Sequence, residues 1–270
     1  MSIAAALAAA RELIPASEAR LLAGYLLGRD AAWLAAHGDE RLTEAQSDDY
    51  SELVACRAAG EPIAYLVGSR EFYGREFTVT PAVLIPRPET ELLVDLAKAA
   101  CATLSAPRIL DLGTGSGCVA VTLALELPAA AVTALDFSPG ALVVAEANAM
   151  ALGARVRFIE SDWFAALGDD LFDLIVGNPP YVAEGDPHLS EGDLRFEPEA
   201  ALHCGQDGLG AIRRIVAEAP RFLAPGGRLY FEHGYDQAVA VAELLHAAGF
   251  AAVEQHRDLA GIVRVSGGRL

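Results

Sequence analysis

Apolar residues recur three or four positions apart through residues 1–66: Ala19, Leu22 and Leu26, then Leu42, Ala45, Tyr50, Leu53 and Val54. That spacing predicts short helices packed into a bundle with its own core. Ser17 and Thr43 are the expected N-caps, and Gly28, Gly38 and Gly60 the expected stops. At residues 67–85 the pattern changes. REFYGREFTVTP predicts a hairpin about Gly74, and the prolines that follow make a stiff connector. From residue 86 a helix is expected over Glu89–Cys101, and then strand and helix patterns alternate. The expected strands are RILDL (108–112), AVTALD (131–136), RVRFIESD (155–162), FDLIVG (172–177) and GGRLYFEHG (226–234). Helices are expected over 119–127, 139–152, 209–223 and 237–248. Two further strands, 251–258 and 261–267, have no helix between them, so one of the two should run antiparallel. The expected fold is α/β, a mostly parallel seven-stranded sheet covered on both faces.

Composition narrows the function classes. Net charge is −17, and Lys98 is the only lysine. A surface of that sign repels a nucleic-acid backbone, and the scattered arginines build no basic patch, so no stable nucleic-acid binding is expected. Cys56, Cys101, Cys118 and Cys204 have neither CxxC nor zinc-ligand spacing, so no metal site and no disulfide framework is expected. No apolar run is long enough to span a bilayer. The expectation is a cytoplasmic protein.

The chemistry starts at DLGTGSG, residues 111–117. The loop ends a strand at the sheet edge where α/β proteins bind ligands. Gly113, Gly115 and Gly117 let the backbone turn tightly beside a ligand, with Thr114 and Ser116 between them. Asp136 ends the next strand, where a carboxylate can accept both hydroxyls of a ribose. NAD and S-adenosylmethionine both remain open at this point. Asp111 is either a structural acid or an orienter of the cofactor's amino-acid end.

Asn178-Pro179-Pro180-Tyr181 decides the chemistry. Two prolines hold the backbone rigid after the fourth strand. The Asn178 side-chain oxygen and the Pro179 carbonyl can each accept one hydrogen of a planar NH₂ group. Tyr181 offers a ring to stack on it. The nitrogen's lone pair then faces a methyl donor, and catalysis is mainly orientation. Asn178, Pro179 and Tyr181 are therefore the catalytic candidates. Such a site suits S-adenosylmethionine, with S-adenosylhomocysteine as product.

The chain resembles the release factor glutamine methyltransferases. The resemblance is carried by GEPIAYLVGSREFYG (60–74), IPRPETELLVD (85–95), DLGTGSG, SDWF (161–164), NPPYV (178–182), DLRFEPEAAL (193–202), EHG (232–234) and RDLAGIVRV (257–265). It implies a class I, Rossmann-like methyltransferase domain over 86–270. It also implies an N-terminal substrate-recognition domain over 1–66, joined by the hairpin region 67–85. The implied substrate is the glutamine of the GGQ motif in class-1 peptide chain release factors. The implied cofactor site is Gly113 to Gly117, Asp136 at the ribose, Trp163 beside the adenine, and Asn178; Asp111 joins it on the second of its two readings. Asn178, Pro179, Pro180 and Tyr181 would bind the glutamine. NPPY is shared with adenine and guanine methyltransferases of nucleic acid, which remain the alternative substrate class. A non-catalytic cofactor-binding protein is the third reading, and an intact NPPY argues against it.

Several residues carry two readings each. Phe72 and Tyr73 line the substrate mouth or pack the hairpin. Trp163 is a cofactor neighbour or a core aromatic. Arg87 is expected to pair with Glu89, and Glu197 with Arg195. His233 is expected to be a hydrogen-bonded structural residue.

Overall fold

The computed structural model of the protein describes residues 1–187 and 192–270. The chain forms two compact units. One holds Met1–Ser69 and the other starts at Arg70, except that a short segment ending at Phe196 belongs with the first.

The first unit has five helices: α1 (Ile3–Ala10), α2 (Ala16–Leu27), α3 (Ala31–Ala36), α4 (Glu44–Ala58) and α5 (Ile63–Val67). Its core contains Ala19, Leu22, Leu34, Tyr50 and Val54. Tyr50 keeps its hydroxyl satisfied inside that core by donating to the Ala19 carbonyl at 2.9 Å. Thr43 caps α4 in a reciprocal box with Gln46, and Gly28 ends α2 in the left-handed conformation, both as expected. Ser17 does not cap. Helix α2 begins at Ala16 straight after Pro15, whose ring sets an extended entry, and this places Ser17 inside the first turn. Gly38 and Gly60 each lie two residues past the last helical residue, so His37 and Ala59 are the C-caps. Arg57 ties the unit together through Glu18 at 2.8 Å and Asp193 at 2.9 Å.

The second unit opens with the hairpin β1 (Ser69–Phe72) and β2 (Arg75–Thr78). Tyr73 and Gly74 turn it with φ of 53° and 73°, the two positive values that a tight hairpin needs. Both alternative readings of the hairpin aromatics resolve toward packing. Phe72 is 1% exposed and meets Phe77 edge-on. The Tyr73 hydroxyl binds Asp95 and Lys98 on α6 (Glu91–Cys101).

The strands β3 (Arg108–Leu112), β4 (Ala131–Asp136), β5 (Val156–Glu160), β6 (Phe172–Gly177), β7 (Leu223–Glu232), β8 (Ala251–Arg257) and β9 (Val263–Arg269) form one sheet. Its order is β5-β4-β3-β6-β7-β9-β8. All pairs are parallel except those of β9, which runs against both β7 and β8. Neighbouring residues on a strand face opposite sides, and the cores follow that period. Ile109 joins α6 and α7 (Cys118–Glu126) in one core. Leu110 joins α10 (Gly210–Glu218) and α11 (Ala238–Ala247) in the other. Between β4 and β5 runs α8 (Pro139–Leu152), capped by the Ser138 hydroxyl; α9 is the short Glu199–Leu202.

One boundary differs from expectation. The helix read over 209–223 stops at Glu218. A single tight turn, Ala219–Arg221, follows, because Pro220 has no N–H to continue the ladder. Strand β7 then starts early, at Leu223. Among the described residues no helix is long and apolar enough to cross a membrane.

The chain builds β4 and β5 on one side of β3, then returns to place β6 on the other. Ligands of open α/β sheets bind at such a reversal, beyond the carboxyl ends of the strands.

Candidate active site

Beyond the ends of β3, β4 and β6 lies a cavity of about 400 Å³. The glycine loop forms one wall. Thr114 N–H donates to the Leu135 carbonyl at 2.9 Å, and Gly115 N–H donates to Asp136 Oδ2 at 2.9 Å, so the loop is tied to the end of β4. Two of its glycines do different things. A Cβ on Gly115 would meet nothing within 4 Å and would project into open space. A Cβ on Gly117 would press on Ala145 at 3.1 Å, so Gly117 lets α7 sit against α8 and does not line the cavity.

Two carboxylates flank the loop. Asp136 is 7% exposed, and its second oxygen accepts the Ser138 N–H at 2.9 Å. Burial raises its pKa, and the backbone donors oppose that rise. Asp111 is 1% exposed and accepts the Thr114 hydroxyl at 2.7 Å. Burial pushes it up to about 7, and the charge of Asp136 adds to the shift. In the loop, Ser116 Oγ is buried with no partner of ordinary hydrogen-bond geometry among the described residues.

Aromatic rings form another wall. Trp163 is half-buried; it lines the cavity and also packs on the second core. Its backbone takes φ of 52°, unusual for a bulky residue, and the Ser161 hydroxyl holds its carbonyl at 2.7 Å. Phe137 is 56% exposed and lines the same cavity. Sequence reasoning missed it, although an aromatic directly after a strand-ending acid was the available signal.

Asn178 and Pro180 line the cavity; Pro179 is buried behind them. Tyr181 is turned away from the cavity. Its hydroxyl donates to Glu232 Oε1 at 3.0 Å and its carbonyl accepts from Gln237 at 2.9 Å. Asn178 Nδ2 donates to Thr90 Oγ1 at 3.2 Å, and Thr90 donates to Glu232 Oε2 at 2.6 Å. Phe72 is not brought to this cavity.

Two expected ion pairs are replaced. Arg87 lines the cavity and donates to Glu197, whose side chain is fully buried and also accepts the Ile85 N–H at 3.0 Å. Burying the carboxylate demands a partner, and Arg87 supplies it in preference to solvent-side Glu89. Arg195 instead donates to the Ala59 carbonyl and covers the Phe196 ring. His233 is structural, as expected: Nδ1 meets the Gly234 carbonyl and Nε2 the Ser266 hydroxyl, each at 2.8 Å, and burial lowers its pKa.

Residues 2–68 match the family model described as PrmC N-terminal domain, and residues 88–192 match that described as Methyltransferase small domain. A release factor glutamine methyltransferase of Bordetella pertussis is 54% identical over 95% of this chain and 96% of its own. That of Burkholderia pseudomallei is 56% identical over 97% and 96%. The chain belongs to the release factor glutamine methyltransferase family. A solved T. thermophilus 16S rRNA N2 G1207 methyltransferase, in complex with AdoMet and guanosine, aligns with a TM-score of 0.54. The match covers 74% of this chain and 49% of that one at 21% identity, and shows a shared fold. As a methyltransferase of this family, the chain uses S-adenosylmethionine. The cavity suits that molecule. It offers acids, a loop with no Cβ at Gly115, and two aromatic rings.

Proposed function

We propose that this chain transfers a methyl group from S-adenosylmethionine to the side-chain amide nitrogen of the glutamine in the GGQ motif of class-1 release factors. The carrying observation is a pair of unclaimed acceptors on the NPPY turn. Among the described residues nothing donates to Asn178 Oδ1 or to the Pro179 carbonyl. Two such acceptors on a proline-fixed backbone match the two hydrogens of one planar amide. They hold the NH₂ group with its lone pair directed toward the cavity and weaken its conjugation. S-adenosylmethionine, when bound, supplies a methyl group on a positive sulfur that a weak nucleophile can take. The nitrogen sheds its surplus proton after transfer, so no side chain need act as a strong base. Tyr181 supports the turn through Glu232 instead of offering its ring.

The cofactor is assigned to Gly113–Ser116 and Asp111 at its amino-acid end, Asp136 at its ribose, and Trp163 with Phe137 at its adenine. The helical unit is assigned to recognition of the release factor, in the cytoplasm. Family membership favours this substrate over nucleic-acid amines.

Asp111 makes the cofactor assignment testable through pH. In the free protein its carboxyl sits near the neutral range, pushed up to about 7 by burial. A raised acid stabilises the fold in its protonated form, so that stability is lost as pH rises through the folded value. A cationic group beside it favours ionisation. Cofactor affinity should therefore rise between about pH 5.5 and 8 and then level off, and Asp111→Asn should flatten the profile. Calorimetry showing a steep profile surviving in that variant would remove Asp111 from the site.

The substrate is tested with tritiated S-adenosylmethionine and purified release factor, beside a factor whose GGQ glutamine is alanine. Label only in the unsubstituted factor is expected. Label on DNA or RNA with none on either factor would overturn the substrate while leaving the NPPY chemistry in place.

A further inference from the structure

Three side chains from distant parts of the second unit meet in a line behind the NPPY turn. Glu232 ends β7 and is 1% exposed. Thr90 precedes α6 and is 2% exposed. Asn178 follows β6 at the cavity. The contacts run Asn178 Nδ2 to Thr90 Oγ1 at 3.2 Å, then Thr90 Oγ1 to Glu232 Oε2 at 2.6 Å.

The order of donation follows from what each group can do. An ionised carboxylate only accepts. Burial raises the Glu232 pKa, and the hydroxyls of Thr90 and Tyr181 and the charge of Arg264 offset only part of that rise. What assigns the accepting role is geometry, since two hydroxyl donors converge on its two oxygens, Thr90 on Oε2 and Tyr181 on Oε1. A hydroxyl has one hydrogen, and Thr90 spends its own on Glu232. Thr90 therefore shows Asn178 only a lone pair. An asparagine amide has one face that donates and one that accepts, and the two ends have nearly the same shape. Turned by 180°, it would set Oδ1 against that lone pair and lose the bond. Only one orientation is satisfied, and it leaves Oδ1 without a protein donor among the described residues. The second oxygen of Glu232 holds the Tyr181 hydroxyl at 3.0 Å. One buried carboxylate thus governs both ends of the tetrapeptide.

We propose that Thr90 and Glu232 are positioning residues that set the direction of the Asn178 amide, so that its oxygen faces the substrate nitrogen. The proposal depends on the reading that Asn178 Oδ1 holds the target amide. It goes beyond that reading by naming what keeps the acceptor pointed the right way. A turned amide would present NH₂ to the substrate NH₂ and repel it.

The test is Thr90→Val, which keeps shape and removes both the donor and the acceptor, beside Thr90→Ser, which restores them. Turnover, KM for the release factor, calorimetric affinity for S-adenosylmethionine and Tm are measured on each, with Asn178→Ala as reference. Thr90→Val should lower kcat about 10- to 100-fold, with KM and cofactor affinity within about threefold. Thr90→Ser should return kcat to within about threefold of the parent protein. A merely structural threonine would lower Tm and cofactor affinity together and would not produce a kcat-only loss rescued by serine. Unchanged kcat in Thr90→Val, a loss that serine fails to restore, or an equal loss of cofactor affinity would each overturn the proposal. If Thr90→Val does not fold, Thr90→Ala replaces it with the same expectations. The two ideas fail separately. Active Asn178→Ala removes the substrate reading, whereas inactive Asn178→Ala with parent-like Thr90→Val removes only the positioning role.

Discussion

Asn178→Ala should lower kcat by about 10²- to 10³-fold while cofactor affinity stays within about threefold. The attacking nitrogen is an amide, whose lone pair is shared with its carbonyl and is a poor nucleophile. The mechanism calls on no side chain to deprotonate it before attack, so rate comes from holding it in one geometry. That geometry needs two acceptors. Alanine removes one and leaves the Pro179 carbonyl alone, so the NH₂ group can rotate about the remaining bond. The fold loses little. Asn178 is only half-buried, and among the described residues its one side-chain hydrogen bond is a donation to Thr90, whose own bond to Glu232 at 2.6 Å survives. Single-turnover kinetics with saturating cofactor measure the chemical step directly. Turnover within about tenfold of the parent protein would sink the two-acceptor mechanism.

Much of this architecture was legible because it is local. Strand and helix follow from the period of apolar residues. The Thr43 cap follows from Thr-x-x-Gln, whereas the strand order, and with it the switch point beside β3, comes only with the structure. The glycine loop and Asp136 were equally plain, since Gly113 to Gly117 and Asp136 lie within one β-α-β unit. What escaped was long-range or depended on competing local signals. Ser17 looks like a cap until Pro15 claims the entry to α2. Pro220 ends a helix whose apolar pattern continues past it. Arg87 finds Glu197 110 positions away, in preference to Glu89 two positions away, because only the distant carboxylate is buried and in need of a cation. Thr90 and Glu232 are 142 positions apart; each lies in a segment that carries the family resemblance, IPRPET and EHG, but nothing local in either says that the two meet. Two aromatic side chains read as substrate candidates make their observed contacts elsewhere. From the sequence, Phe72 is open between the substrate mouth and the hairpin, and Tyr181 is a candidate for stacking on the substrate; the structure gives Phe72 a place in a core and the Tyr181 hydroxyl a buried carboxylate. Phe137, in contrast, stays exposed on the cavity wall.

Asp136→Ala should divide the effects the other way, weakening cofactor affinity about 10²- to 10³-fold with a smaller change in the rate of the bound complex. Each Asp136 oxygen accepts one backbone N–H, from Gly115 and from Ser138, both at 2.9 Å. Those two bonds fix the plane of the carboxylate and leave its remaining lone pairs for a ligand. A ribose diol presents two hydroxyl donors at matching separation, and each charge-assisted bond is worth about 1.5–3 kcal/mol before desolvation. Most of the desolvation is already met in the free protein, since Asp136 is 7% exposed and its pKa is already raised by burial. Alanine loses both ribose bonds and also frees the Gly115 N–H, which loosens the loop at the residue that faces the cavity. Asp136→Asn separates these contributions. Its amide oxygen keeps one acceptor, but its NH₂ must oppose either a backbone N–H or a ribose hydroxyl, so an intermediate loss is expected. Calorimetry supplies the affinities, and single-turnover rates at saturating cofactor supply the comparison with Asn178→Ala. Unchanged affinity in Asp136→Ala would withdraw the ribose from Asp136. A loss confined to rate would mean that the acid acts on the substrate side of the cavity.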